Sequence, residues 1–288
     1  MVRLSIATPV VTMNPASHAA WEATGTIEDI ARIAETGDRL GYYHLTCSEH
    51  VALPHAEIGR RGARYWDPLA TFGYLAARTT RIRFATNVLV LAYNHPLEIA
   101  KRYGTLDVVS GGRLILGVGV GTLKEEFDLI GAPFDDRGPR GDDAIRALRA
   151  ALSAPEPTYH GPFYDFEGMV VDPCAVQERV PIWVGGRTLR SLRRAVALGD
   201  GWCPFAVTPA QASEWLSRVE VPPGFDVVLP PAGRLDAVNE PGRAREILAE
   251  TEAAGATIVT CGGMHDSLEA FLEQLEALAE AHAPGGDH

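Results

Sequence analysis

Short apolar runs alternate with amphipathic segments along almost the whole chain of 288 residues. The apolar runs are rich in valine, isoleucine and leucine, which is typical of buried strands. The amphipathic segments repeat their apolar positions every three to four residues, as helices with one buried face do. The predicted strands are 3–10, 42–49, 81–91, 113–121, 180–186, 201–206, 225–233 and 256–263. The predicted helices are 26–41, 67–80, 95–112, 188–201, 209–219, 241–255 and 267–282.

This alternation predicts parallel strands that are joined by helical crossovers. With the partly helical stretch 122–171 after strand four, eight strand–helix units close a (β/α)8 barrel, or TIM barrel, and the chain has a normal length for one such domain. A mostly polar or helical stretch at 122–171 is predicted as an insertion after strand four. We therefore predict one domain at 1–283 and a flexible tail at 284–288. An open, doubly wound sheet is the structural alternative.

The stretch LILGVGVGTLKEEF, residues 114–127, looks like a nucleotide-binding strand, loop and helix. A dinucleotide fingerprint needs the pattern G-x-G-x-x-G, but Thr122 stands where its third glycine would be. In a barrel, Gly119 and Gly121 lie at the carboxyl end of strand four, where active sites are found. Either these glycines let a flat ligand approach the backbone, or small residues simply fit the crowded barrel interior.

Charge and cysteine content narrow the classes of function. The net charge is −11 and the pI is near 5.3, which disfavours nucleic acid and anionic membranes as partners. The four cysteines form no C-x-x-C pair and fit no zinc spacing, so we expect free thiols in a reducing compartment. The N-terminus does not resemble a signal peptide, and no apolar run is long enough to span a membrane. The expected location is therefore the cytoplasm.

Several polar residues fall at the predicted carboxyl ends of strands. Strand two ends in Glu49 and His50. A histidine there can move a proton near neutral pH, or it can play a structural or capping role. His55 and Glu57 follow in a loop, but their spacing suits no helix face, so no metal site is predicted. Asn87 interrupts the apolar run of strand three, which indicates a bulge, a distorted peptide or an early strand end.

Strand five runs into a turn that has the features of an anion site. Gly185 and Gly186 end the strand, and Arg187 and Thr188 open the helix that follows. Free N–H groups, the helix dipole, a hydroxyl and a guanidinium together suit a phosphate. The alternative is a tight turn in which Thr188 caps the helix. We favour the phosphate because both glycines and an arginine coincide.

Several stretches together resemble the bacterial-luciferase-like superfamily and, within it, the oxidoreductases that depend on the deazaflavin F420. They include SEH, TRIRFATNVLVLAYNHPLEIAK, LDVVSGGRLILGVGVGTLKEEFDLIG and PIWVGGRTLRSLRRAVALGDGW. The resemblance covers roughly residues 40–205, and the last third of the chain matches only in its barrel pattern. It implies a single barrel that holds a flat cofactor ring at the strand ends, with the cofactor's phosphate on the strand-five turn.

The resemblance also implies individual roles. Glu49 and His50 match the family's acidic–histidine pair, with His50 as the catalytic acid or base. Family members carry a non-proline cis peptide that falls here at Asn87–Val88, and its bulge supports the cofactor ring in a bend suited to hydride transfer. The cofactor-binding residues predicted in this way are Glu49, Asn87, Val88, Val90, Gly121, Gly185, Gly186, Arg187 and Thr188.

The chain departs from part of this family at two positions. F420-dependent sugar-phosphate and alcohol dehydrogenases carry a glutamate directly after the strand-four glycines, where this chain has Thr122. They also carry a tryptophan four residues beyond the histidine, where this chain has Pro54. These differences favour a reductase, or hydride transfer to another acceptor, over oxidation of a sugar phosphate or a secondary alcohol.

The leading hypothesis is an oxidoreductase that transfers a hydride between F420 and a small organic substrate, with His50 as proton donor or acceptor. One alternative is an FMN-dependent monooxygenase served by a separate flavin reductase. Another is a non-catalytic barrel that binds a flavin. A homodimer is expected from the family. Substrate contacts are expected from loops 51–66 and 122–140, where Arg60, Arg61 and Arg64 either grip an acidic ligand or lie in solvent.

Overall fold

Eight parallel strands form a closed ring in the computed structural model, which describes residues 1–263 and 265–283. The strands are β1 Arg3–Ile6, β2 His44–Cys47, β3 Arg83–Thr86, β4 Leu89–Val90, β5 Leu114–Gly119, β6 Tyr159–His160, β7 Asp165–Phe166, β8 Ile182–Gly186, β9 Gly201–Pro204, β10 Asp226–Leu229 and β11 Ile258–Cys261. The ring runs β1, β2, β3, β5, β8, β9, β10, β11 and back to β1. The predicted barrel is confirmed, and the open-sheet alternative is wrong. The predicted tail at 284–288 lies outside the described residues.

Helices follow the ring strands and cover the outside of the barrel. They are α1 Ile27–Leu40, α2 Ile58–Arg61, α3 Pro68–Ala76, α4 Pro96–Ser110, α5 Lys124–Ile130, α6 Arg137–Ala151, α7 Leu189–Leu198, α8 Pro209–Leu216, α9 Pro241–Ala253 and α10 Leu268–His282. Local capping sets their ends. The side chains of Thr26 and Asp67 accept hydrogen bonds from the first turns of α1 and α3, and Gly41 ends α1 in the left-handed conformation.

The stretch after β5 holds both an insertion and the fourth barrel helix. Helix α6 packs between α4 and α7, so it completes the outer layer. The inserted parts are α5 and the short antiparallel hairpin of β6 and β7. The hairpin is anchored on α6 because the buried carboxylate of Asp143 accepts hydrogen bonds from the Phe163 and Tyr164 N–H groups and from the Tyr159 hydroxyl.

Two hydrophobic layers hold the fold together. The larger layer lies between the barrel wall and the helices, and alternate strand residues such as Leu45 and Val118 supply it. The smaller layer fills the barrel lumen and includes Ile115, Trp183 and Ile258. This division follows from the strand period of two residues, which sends neighbouring side chains to opposite faces. In residues 1–263 and 265–283, no helix has the length and apolarity that a membrane crossing requires.

Candidate active site

A cleft of about 830 Å³ opens at the carboxyl ends of the strands. Its walls come from the ends of β2, β4, β5 and β8 and from the loops that follow them. All ten residues predicted for the site line this one cleft. They are Glu49, His50, Asn87, Val88, Val90, Gly121, Gly185, Gly186, Arg187 and Thr188. The barrel topology therefore brings together residues from four separate stretches of sequence.

The His50 side chain is held at one end of the cleft. Its Nδ1 lies 2.7 Å from Oε2 of Glu126, and its ring packs edge-on against Tyr65 with the centroids 4.5 Å apart. A carboxylate only accepts hydrogen bonds, so it selects the state in which Nδ1 carries a proton. With Nδ1 engaged in this way, Nε2 is the nitrogen left for a ligand. The side chain is 16% exposed, and the residue lines the cleft.

Glu126 is the site residue that the sequence reasoning missed. Its side chain is fully buried at the start of α5, and its carboxylate accepts hydrogen bonds from His50, from the Tyr93 hydroxyl at 2.7 Å, and from the Val51 and Ala52 N–H groups. Burial opposes its charge, but the hydrogen bonds from His50 and Tyr93 outweigh burial and lower the pKa of this carboxyl. Nothing in the sequence distinguished Glu126 from the adjacent Glu125, since both lie in the first turn of the short helix α5.

Glu49 supports the backbone of the cleft floor. Its Oε2 accepts a hydrogen bond of 2.8 Å from the N–H of Val90. Burial raises the pKa of the Glu49 carboxyl to about 7, against the lowering effect of the Val90 hydrogen bond. Glu49 therefore changes charge near neutral pH and touches the segment that carries Val88.

The third predicted strand is split into β3 and β4 by Asn87 and Val88, and the peptide between these two residues is cis. The resemblance implied this peptide. A Cβ on Gly119 or on Gly185 would lie 2.7 Å from a methyl carbon of Val88. The two glycines on neighbouring strands thus leave room for the Val88 side chain. These glycines make room for the bulge at Asn87 and Val88, which forms part of the cleft floor.

Gly117 and Gly121, the other glycines of this stretch, also serve packing. A Cβ on Gly117 would lie 1.9 Å from the carbonyl oxygen of Thr86 on the neighbouring strand. Gly121 has a φ of +77°, and a Cβ there would meet the Phe127 ring at 2.5 Å. Close packing therefore explains the alternating glycines: Gly117 and Gly119 pack against Thr86 and Val88, and Gly121 packs against Phe127 of α5.

The opposite end of the cleft is the N-terminus of α7. The Thr188 side chain caps this helix by accepting a hydrogen bond from the Ser191 N–H. The helix therefore starts where the alternative interpretation placed its cap, and the N–H groups of Thr188 and Ser191 are used within that cap. Gly186, with a φ of +134°, lets the chain pass Ser191 closely. Arg187 and Arg190 are exposed and line the cleft.

The three arginines of loop 51–66 have different surroundings. Arg60 is exposed and pairs with Glu57. Arg61 also pairs with Glu57, lines the cleft, and has Nη2 3.5 Å from the hydroxyl of Thr122. Arg64 donates to backbone carbonyls of the β1–α1 loop and so has a structural role. Of the three, only Arg61 contributes to the walls of the cleft.

Comparisons with known proteins agree with this geometry. A family model described as luciferase-like monooxygenase matches residues 8–222, and the chain belongs to this family. An uncharacterized protein of Mycobacterium tuberculosis is 32% identical over 200 residues, which cover 65% of this chain and 69% of that protein.

Three solved structures show the same fold. Monooxygenase RslO1 from Streptomyces bottropensis has a TM-score of 0.73 at 24% identity and covers 98% of both chains. The coenzyme F420-dependent tetrahydromethanopterin reductase from Methanopyrus kandleri has a TM-score of 0.69 at 16% identity, covering 89% of this chain and 94% of that one. The oxygenating constituent of 3,6-diketocamphane monooxygenase from Pseudomonas putida, in complex with FMN, has a TM-score of 0.70 at 15% identity, covering 99% and 98%.

Proposed function

We propose that this protein is an oxidoreductase that transfers a hydride between coenzyme F420 and a small organic substrate. The observation that carries the proposal is the arrangement of the cleft. A histidine held by a buried carboxylate lies at one end, and a cationic helix N-terminus lies at the other. A ligand with a reactive ring and an anionic tail fits these two ends at once.

The residues that line the cleft fit the ring and the phosphate of F420. Val88, seated against Gly119 and Gly185, provides an apolar floor on which a flat ring can lie. The N-terminus of α7, with Arg187 and Arg190, offers N–H groups and guanidinium groups to a phosphate. When bound, F420 supplies the hydride chemistry, and the protein supplies orientation and a dry pocket.

His50 is proposed to move the proton that accompanies the hydride. In the direction of substrate reduction, a substrate carbon gains the hydride and the adjacent heteroatom or carbon gains a proton from Nε2 of His50. In the direction of substrate oxidation, the substrate loses the hydride and gives its proton to Nε2 of His50. Glu126 fixes the orientation of the His50 ring through its contact with Nδ1, as a carboxylate beside a catalytic histidine does. Tyr93 and two backbone N–H groups hold Glu126 in turn.

The charge of the cleft favours F420 over a simple flavin mononucleotide. Arg187 and Arg190 form no ion pair with a carboxylate within residues 1–263 and 265–283. Arg137 and Arg194 also line the cleft, and Arg194 forms an ion pair with Asp142. A phosphodiester followed by a tail of carboxylates, as in F420, can use several guanidinium groups, whereas FMN carries a single phosphate.

An FMN-dependent monooxygenase with a separate flavin reductase is the second candidate. Two observations favour it. The chain matches the solved monooxygenase RslO1 over 98% of both lengths. Thr122 also stands where the F420-dependent sugar-phosphate and alcohol dehydrogenases, which the sequence resembles, carry a glutamate.

The deciding experiment is titration of the purified apo-protein with F420 and, separately, with FMN, followed by quenching of tryptophan or cofactor fluorescence. Binding of F420 at least tenfold tighter than FMN is the expected result. The reverse order would replace the proposal with the monooxygenase. Binding of neither cofactor would show that the barrel is kept without the cofactor, and both candidates would fail.

Substitution of His50 by alanine separates an enzyme from a flavin-binding protein. We expect His50→Ala to bind the cofactor within about threefold of wild type and to lose about 10²- to 10⁴-fold in turnover, the range of general acid–base catalysis. Equal turnover in the variant and the wild type would remove His50 from the mechanism. No turnover in the wild type with any acceptor would favour the binding protein.

A further inference from the structure

Two adjacent arginines of loop 51–66 share a single carboxylate. Oε2 of Glu57 accepts hydrogen bonds from Nε of Arg61 at 2.9 Å and from the guanidinium of Arg60. These bonds lower the pKa of Glu57, so its carboxyl is ionised at neutral pH. Two positive groups and one negative group leave this cluster with a net charge of +1.

The two arginines differ in their position relative to the cleft. Arg61 lines the cleft, and its side chain is 20% exposed. Arg60 lies outside the cleft, and its side chain is 62% exposed. The positive charge that the cluster keeps therefore borders the cleft only through Arg61.

The backbone of this loop fixes the place of Arg61. The carbonyl of Arg61 accepts a hydrogen bond of 2.8 Å from the Tyr65 hydroxyl, and the Tyr65 ring packs against His50. The next residue, Gly62, has a φ of +82°, and a Cβ there would lie 1.7 Å from the carbonyl oxygen of Met13. The loop thus packs closely on the β1–α1 loop. A side chain that starts from a fixed backbone loses less entropy when it binds a ligand.

The Arg61 guanidinium has donors left for a ligand. A guanidinium carries five N–H bonds. Nε donates to Glu57, and Nη2 lies 3.5 Å from the hydroxyl of Thr122, which also lines the cleft. Among the residues that the structure describes, 1–263 and 265–283, the guanidinium makes no further hydrogen bond. Three N–H bonds remain, and two of them on one guanidinium can hold a carboxylate.

The charge of Arg61 lies at the His50 end of the cleft. Tyr65 contacts the His50 ring, and Tyr93 donates to the Glu126 carboxylate that holds this ring. Burial raises the pKa of both tyrosine hydroxyls, and the charge of Arg61 opposes the rise in each. Because a charge acts in this way only over short distances, the guanidinium is close to both tyrosines.

Arg61 stands apart from the other arginines that line the cleft, which are Arg137, Arg187, Arg190 and Arg194. Arg187 and Arg190 belong to the N-terminus of α7, which the proposed function gives to the cofactor phosphate. Arg61 and His50 instead both follow β2. A cofactor phosphate at α7 therefore leaves Arg61 for a second anionic group.

We propose that Arg61 is a specificity-determining residue, and that the substrate carries a carboxylate which Arg61 binds at the His50 end of the cleft. This substrate class rests on the proposed function, since the hydride and the proton act on the molecule that Arg61 holds. A carboxylate offsets the net charge of the Glu57 cluster, whereas a neutral substrate would cover the donors of Arg61 without an equal acceptor. The carboxylates of the F420 tail are the other source of the same chemistry.

The test is binding of carboxylate probes and of their neutral amides to the protein with oxidised F420 bound, measured by isothermal titration and by ligand-observed NMR. The probes are cinnamate and succinate, with cinnamamide and succinamide as counterparts of the same shape. We expect wild type to bind each carboxylate at least tenfold more tightly than its amide. Arg61→Ala should weaken the carboxylates at least tenfold and leave the amides within twofold. Arg61→Lys keeps the charge without the planar fork and should give an intermediate loss.

Arg60→Ala is the matched control, because Arg60 has the same Glu57 partner but lies outside the cleft. It should bind all four probes like wild type. In Arg61→Ala, Glu57 keeps Arg60 as its partner, and circular dichroism establishes that both variants are folded. Equal losses in Arg60→Ala and Arg61→Ala would indicate net charge instead of a site and would overturn the proposal. Equal affinities of wild type for the carboxylates and the amides would overturn it as well.

Titration with F420, and with F420 that lacks its glutamates, separates a substrate from the cofactor tail. We expect Arg61→Ala to leave both cofactor affinities within threefold. A loss confined to the tailed cofactor, with the probes unaffected, would assign Arg61 to the tail and overturn the substrate role. The probes are also titrated into the protein without cofactor. Failure of both F420 and FMN to bind, with the preference for carboxylates still dependent on Arg61, would instead overturn the proposed function and leave a carboxylate site.

Discussion

The two ends of the cleft are built in opposite ways. At the His50 end, the Glu126 carboxylate is buried, and four donors converge on it. At the Arg187 end, the guanidinium groups of Arg187 and Arg190 are exposed. The difference matches the roles proposed for the two ends, because proton transfer needs an oriented group, which fixed neighbours provide. Capture of an anion needs donors that stay free until the ligand arrives.

The largest effect is expected from breaking the buried end. Glu126→Gln replaces one carboxylate oxygen with an NH2 group, so the donors that met this oxygen would then face another donor. We therefore expect a loss of about 3–5 kcal/mol in the free energy of unfolding. Urea unfolding at pH 7 measures it. The loss should shrink in acid, because the lowered pKa of Glu126 gives stability that is present above the unfolded value of about 4.3 and is lost as the pH falls through the folded value.

Glu125→Gln is the matched control, because Glu125 precedes Glu126 and its side chain is exposed. We expect a change within about 0.5 kcal/mol, as for other surface substitutions. Similar losses in the two variants would contradict the role given to the buried carboxylate.

Glu49 predicts a dependence of stability on pH with the opposite sign. The native state keeps a proton on Glu49 up to about pH 7, whereas the unfolded carboxyl releases it near about pH 4.3. The free energy of unfolding should therefore fall as the pH rises through this window, by about 3–4 kcal/mol from this group. Glu49→Gln cannot release the proton, so its stability relative to wild type should rise between pH 5 and 8. A difference that stays flat over this range would show that burial does not control the group.

The floor between the two ends depends on the glycines that seat Val88. Gly185→Ala places a Cβ 2.7 Å from a Val88 methyl carbon, so we expect a loss of about 1–3 kcal/mol from overpacking, together with weaker cofactor binding. Thermal unfolding and the fluorescence titration measure the two effects. Gly59→Ala, which meets no atom within 4 Å, is the control and should be neutral or slightly stabilising. Tolerance of alanine at 185 would mean that Val88 does not form a rigid floor.

The smallest effect is expected at the open end. Arg187→Ala should weaken cofactor binding about tenfold, as the loss of one charge-assisted hydrogen bond does, and leave stability unchanged. Raising the salt concentration should reduce the difference in cofactor affinity between this variant and wild type. Arg193→Ala, on an exposed position of the same helix outside the cleft, should bind like wild type. Equal losses in both variants would point to the net charge of the helix instead of a local site.

Local signals in the sequence were sufficient for most helices and strands and for ten residues that line the cleft, but not for Glu126. Periods of two and of three to four residues located the ring strands and the main helices, because side chains alternate along a strand and recur along a helix. The predicted helices 26–41 and 67–80 begin at Thr26 and Asp67, which cap them in the structure, since capping involves neighbours in sequence. The alternation of elements decided the barrel, and parallel strands then carried Glu49, Asn87, Gly185 and Thr188 to one edge.

Only the tertiary structure decided which partners these residues meet. His50 and Glu126 are 76 residues apart, and nothing in the local pattern marked the second of two adjacent glutamates as the buried one. Gly119 was interpreted either as an approach for a ligand or as a fit to the crowded interior, and Gly185 as part of an anion-binding turn. Both leave room for the Val88 side chain from another strand. A smaller cavity of about 220 Å³ in the barrel has no local signal in the sequence, because residues on or next to seven different strands line it. Periodicity and capping are properties of a segment, whereas burial, pairing and empty space arise where distant segments pack.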